Sequence, residues 1–302
     1  MQTLKILCAI VLMTLLLITS VAGCQQPSAP SPAPGPPAPR PAPPPPFERN
    51  VVPEEAHYLP GESIEVKLSL TNTSSDIIVM STHPPEIRVT PWQDRDQVLS
   101  SRAGGTQPLE IKPGDTTTLE FTWDQKDNEG KQAPAGWYAV TFEDIKVTQG
   151  DRRTTFNPGA AVLIQYPQGA MEKTIEPNES RAVNGITVTL ERIDLTSSGM
   201  TVYTVGTLSG YPVPPGITNT ANAMEHVSAE YSVDGDIVKQ AGSAGMQYLE
   251  NGTRFIWDRH VDPIPSDARE LIFRISTITL RFAPDKPDEL VVGPWEFRIP
   301  LE

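Results

Sequence analysis

Apolar and polar residues alternate one for one along short runs of this chain, a spacing that fits half-buried β-strand and little else. Ile64, Val66, Leu68 and Leu70 are separated by Glu65, Lys67 and Ser69, between a Pro60-Gly61 turn and Thr71-Asn72-Thr73. Leu119, Phe121 and Trp123 alternate after Pro113-Gly114-Asp115; Trp137, Tyr138, Val140 and Phe142 follow Pro134-Ala135-Gly136. Residues 161–166 add another run. Further on, Ile186, Val188 and Leu190 alternate, and Ile193 and Leu195 continue the apolar face. Residues 202–208, 227–233 and 255–257 are shorter candidates. Leu271, Phe273 and Ile275, then Ile278, Leu280 and Phe282, then Trp295, Phe297, Ile299 and Leu301 complete the series. No convincing helical stretch interrupts them. The pattern predicts an all-β chain with two β-sandwich domains, 49–168 and 169–302, meeting near Gln168-Gly169-Ala170. A length of 302 residues suits two such domains.

Ahead of them lie two segments of another kind. Lys5 precedes an apolar run from Ile6 to Ile18, and small residues follow as far as Cys24. That is the plan of a secretory signal, too short for a comfortable bilayer span. Val21, Ala22 and Gly23 before Cys24 resemble the bacterial lipobox. The resemblance implies that residues 1–23 are a signal peptide, that the signal peptidase recognises Val21, Ala22 and Gly23, and that the Cys24 thiol carries lipid. The mature protein is then anchored to the outer face of the cell membrane, or to an outer membrane where one exists. Each buried CH₂ of an acyl chain contributes about 0.8 kcal/mol, so two or three chains hold firmly. Residues 24–48 form a linker: twelve of the twenty residues in 27–46 are proline. Proline has no N–H to donate to a ladder, so this stretch is expected to be a disordered, polyproline-rich spacer of roughly 60 Å at ~3.1 Å per residue.

Only Cys8 and Cys24 occur, which leaves the predicted sandwiches without disulfides or cysteine metal sites. The chain has a net charge of −13, and −14 without Lys5. Such a surface repels phosphate backbones, so no nucleic-acid partner is expected.

Residues 50–165 resemble the domain family of the Bacillus intracellular proteinase inhibitor. The likeness rests on Tyr58-x-Pro60-Gly61-Glu62, Asn72-Thr73-Ser74, Leu109-x-Ile111-x-Pro113-Gly114, Trp123-Asp124-Gln125 and Gly130-x-x-x-Pro134-x-Gly136-x-Tyr138. It implies an immunoglobulin-like sandwich; no reactive-site residue carries over. Val183-Asn184-Gly185-Ile186-Thr187-Val188 and the closing residues 293–301 are similar to uncharacterised immunoglobulin-like domains of bacterial surface and anti-sigma proteins.

Catalytic signatures are hard to find. His57, His83, His226 and His260 have no paired metal-ligand spacing. The run 124–130 has acidic residues but places Lys126 and Glu129 where a calcium loop needs a ligand and a glycine, so it reads as a solvated hairpin loop. Ala241-Gly242-Ser243-Ala244-Gly245 lacks the first glycine of a nucleophile elbow. Asp94 and Asp96 read as surface charges. Trp92, Trp123, Trp137, Trp257 and Trp295 could stack sugars, though alternating strands favour the core. The sequons at Asn72, Asn178 and Asn251 read as chance. The expectation is a non-enzymatic binding module on the cell surface, without cofactor or metal, whose partner is a protein or glycan. The alternatives are an extracellular protease inhibitor and, behind it, a hydrolase with a site built from scattered residues.

Overall fold

The computed structural model describes residues 45–213, 223–236, 238–242, 244–283 and 287–302. The lipobox residues Val21, Ala22 and Gly23, the lipid-bearing Cys24, the linker up to residue 44 and Ser243 lie outside them. The described residues form 22 strands and no helix, as the alternation predicts. Residues 45–302 make one compact unit containing two large apolar cores.

Three sheets share the first core. Phe47–Val52, Ile64–Asn72 and Thr116–Trp123 lie side by side, and Ile64, Val66, Leu68 and Leu70 all point inward. Arg152–Phe156, Ile145–Gln149, Ile78–His83 and Gln107–Ile111 form the second sheet. The third runs Glu55–Tyr58, Gly159–Ile164, Gly136–Glu143, Glu86–Pro91 and Ser100–Arg102, its first pair parallel.

The second core lies between two sheets. One orders Lys173–Ile175, Ile186–Thr196, Gly199–Thr207, Gly252–Trp257 and Gly245–Leu249, with Glu179–Val183 also on Ile186–Thr196. The other orders Lys239–Gln240, Met224–Val233, Glu270–Leu280 and Glu289–Pro300. Strict alternation slips along several of these strands, and two of the slips show the cause as a bulge. The apolar series jumps from Leu190 to Ile193 where the pairing shifts between Leu190 and Arg192, and from Ile275 to Ile278 where it shifts between Ile275 and Thr277. One extra residue on a strand swaps its faces, so a three-residue step keeps the apolar side inward.

The 124–130 segment is a small loop closed by an antiparallel Lys126–Gln132 bridge, but it does not join the two flanking strands as a hairpin. The strands on either side, Thr116–Trp123 and Gly136–Glu143, belong to different sheets. Gln125 turns the chain between them: it is fully buried at φ 59°, accepts the Gly61 N–H at 2.8 Å and donates to the Leu59 carbonyl at 2.8 Å. Asp127 caps the Glu129 and Lys131 amides, both at 2.9 Å, so its carboxylate is occupied by the loop's own backbone.

Candidate functional site at the joint between the cores

Trp137 belongs to neither large core. With Ala161, Leu163 and the half-buried Trp92 it makes a third apolar cluster, which faces the second half of the chain. Its indole donates to the Ser198 carbonyl at 2.9 Å, and its amide donates to the Asp262 carboxylate at 2.8 Å. Trp92 joins it through a 2.8 Å hydrogen bond from its amide to the Trp137 carbonyl. Two glycines let the backbones close up. A Cβ at Gly136, whose φ is +143°, would stand 3.1 Å from the Asp262 carboxylate, and one at Gly199 would meet the Val261 carbonyl at 2.5 Å.

Asp262 is the polar centre. Only 5% exposed, it also receives the Lys239 ammonium at 2.7 Å, and its own amide donates to the Tyr231 hydroxyl at 3.3 Å. Burial works against the Lys239 charge, but the attraction and hydrogen bond of Asp262 outweigh it and raise the lysine pKa. Burial first, then the negative charge of Asp262, pushes Tyr138 and Tyr231 far above the usual phenol range, so both stay neutral hydrogen-bonding groups. Tyr138 donates to the Pro134 carbonyl at 2.6 Å.

On the other side of Trp137 is an aromatic ladder. Arg95 lies over Trp92 at 3.9 Å, Trp92 is 3.8 Å from the His260 ring, and His260 meets Trp137 edge-on at 4.7 Å. His57 contacts the same indole at 5.6 Å. Glu55 has an oxygen 3.5 Å from His260 Nε2 and another 4.0 Å from His57 Nε2. The buried His260 Nδ1 has no partner among the described residues, while the backbone carbonyl of His260 accepts from the Gln93 amide. Burial, above all, lowers the His260 pKa; Glu55 partly opposes this, and Arg95 and Arg259 add to it.

Sequence spacing separates His57 and His260 by 203 residues, and the joint unites them. His83 and His226 take no part in it. Among the described residues no group of three His, Cys, Asp or Glu side chains is arranged to hold a metal. Asp94 is occupied in its own loop, accepting from the Asp96 and Gln97 amides at 3.2 and 3.3 Å. Trp123, Trp257 and Trp295 are core residues, so the five tryptophans do not form one platform. Asn72 is fully buried and donates to the Asp76 and Ile111 carbonyls, both at 2.8 Å, so it is a structural residue. No local sequence signal ties Gly136-Trp137 to Asp262, which stands 125 residues beyond Trp137.

A cleft of about 630 Å³ opens over this joint. Its walls are the loop 91–99 and residues 134–138 of the first half and residues 238–240 of the second, with Asp262 at its base. Arg95 and Lys239 are the cations of its lining, and both are already engaged, by Trp92 and by Asp262. The cleft therefore presents a largely apolar surface, with Pro91, Leu99, Pro134 and Val238, beside the carboxylates of Asp94 and Asp96; its two aromatics, Trp137 and Tyr138, are almost fully buried.

No family model matches the chain, and no curated protein does. Among solved structures, a conserved domain protein from Bacillus anthracis is 10% identical over 86% of this chain and 89% of its own, with a TM-score of 0.34. A PapD-like domain of human CEP192 is 15% identical over 41% of this chain and 91% of its own, with a TM-score of 0.26. The class 5 fimbriae chaperone CfaA is 9% identical over 82% and 98%, with a TM-score of 0.23. Likeness this slight assigns no function to the chain.

Proposed function

We propose that this chain is an exported lipoprotein, anchored through Cys24 and raised on its proline-rich linker, that acts by non-covalent binding at the cell surface. The observation that supports binding is the cleft at the joint: about 630 Å³, within the range of ligand and peptide sites, and walled by both halves of the chain. Its apolar lining, with Pro91, Leu99, Pro134 and Val238, suits an apolar segment of a protein or the apolar face of a glycan partner. The anchor is supported by the Val21-Ala22-Gly23-Cys24 sequence and the apolar run before it.

Two measurements on intact cells test the reading. Cys24→Ala should move the protein out of the membrane fraction; equal retention of the variant removes the anchor. A photo-crosslinking residue at Val238, exposed at the cleft rim, should yield an adduct that the same probe at the exposed Ile77 does not. Equal adduct at both positions, or at neither, removes the cleft as the binding site.

A further inference from the structure

A sheet edge is a row of unpaired N–H and C=O groups, and soluble proteins blunt such edges with charges, prolines or short strands. The edge strands of the described residues follow that practice with one exception. Phe47–Val52 carries Glu48 and Arg49, Thr116–Trp123 carries Glu120, Gln107–Ile111 carries Pro108 and Arg152–Phe156 carries two arginines. The remaining edges likewise hold Lys, Arg, Glu or Pro, except Gly245–Leu249, which reads Gly-Met-Gln-Tyr-Leu. Among the described residues that strand pairs on one side only, with Gly252–Trp257. Its Met246 and Tyr248 are 43% and 50% exposed, and a groove of about 580 Å³ separates Met246 from Met224–Val233 of the facing sheet, with Phe255 among its lining.

The register of the open edge can be worked out. Leu249 and Gly252 are the pair that closes a two-residue turn, so they exchange hydrogen bonds with each other. Hydrogen-bonded and non-hydrogen-bonded pairs alternate from there, which turns the backbone groups of Met246 and Tyr248 outward. We propose that this edge pairs with the same edge of a second copy of the chain, antiparallel and centred on Gln247. In that register Met246 of each copy lies opposite Tyr248 of the other. Their outward N–H and C=O groups pair, and sulfur meets ring across the two-fold axis. The four side chains lie on one face and cover the two grooves. No charge on the strand opposes its own image, whereas the other edges would set like charges near one another. A five-residue edge buries less than the roughly 1,200 Å² of a standard complex, so the contact is a weak one best read by trapping.

The two Gln247 residues form a non-hydrogen-bonded pair, whose Cα separation of about 4.5 Å lies within the disulfide range. The test uses the full chain in mild detergent with Cys8 and Cys24 replaced by serine. Gln247→Cys should form at least about tenfold more disulfide-linked dimer under mild oxidation than Ser101→Cys on the edge strand Ser100–Arg102, a difference of ~1.4 kcal/mol. Adding Tyr248→Lys should return Gln247→Cys to the Ser101→Cys level, with circular dichroism unchanged. Equal dimer from both cysteine variants, or dimer that survives Tyr248→Lys, overturns the proposal.

Discussion

Replacing Asp262 by alanine is the sharpest test of the joint. The carboxylate is 5% exposed and accepts the buried Trp137 amide at 2.8 Å, so its removal leaves that amide without an acceptor. Loss of a buried hydrogen bond to a charged acceptor costs about 1.5–3 kcal/mol. The Lys239 side chain is 36% exposed, so water takes up much of its lost pairing, and that part is held to about 1 kcal/mol or less. The expected total is therefore about 3 kcal/mol, a large share of an ordinary stability of about 5–15 kcal/mol. Asp262→Asn keeps one oxygen for the Trp137 amide and puts an NH₂ where Lys239 donated, so it loses the half-exposed lysine pair alone and should cost about 1 kcal/mol. Urea unfolding at neutral pH, followed by tryptophan fluorescence, gives both values from midpoints at constant slope. If Asp262→Ala costs under about 1 kcal/mol, or Asp262→Asn costs as much as Ala, the amide–carboxylate bond is not what holds the joint.

Because burial lowers the His260 pKa below its ordinary 6.5, the folded state binds fewer protons there than the unfolded chain. Its contribution to stability is whole above pH 6.5 and is lost as the pH falls through that value toward the folded pKa. His260→Gln should therefore show a smaller drop in urea midpoint between pH 7.5 and about pH 5 than the parent; identical drops would refute it. Trp137 is 4% exposed, so Trp137→Ala should cost about 3–5 kcal/mol. Trp137→Phe, which keeps much of the apolar volume but loses the bond to Ser198, should cost roughly half that, measured in the same unfolding experiment.

The all-β class was legible in the residues themselves, because a period of two has one physical meaning: every second side chain faces a core. Ile64 to Leu70, Leu119 to Trp123 and Trp295 to Leu301 needed no partner strand to show which residues would be buried. Even the interruptions at Leu190 and Ile275 carried information, since a skipped beat in the alternation is what a bulge looks like in one dimension. The joint was not legible. Trp137 reads as one more core residue of its strand, and Asp262 as one acid among many; His57 and His260 stand 203 positions apart. What makes them a site is the meeting of a buried amide and a buried carboxylate with a half-exposed ammonium, and distances of that kind are set by how two cores pack. Local spacing can decide which face of a strand is apolar, but only the folded chain decides which polar groups must share the space between.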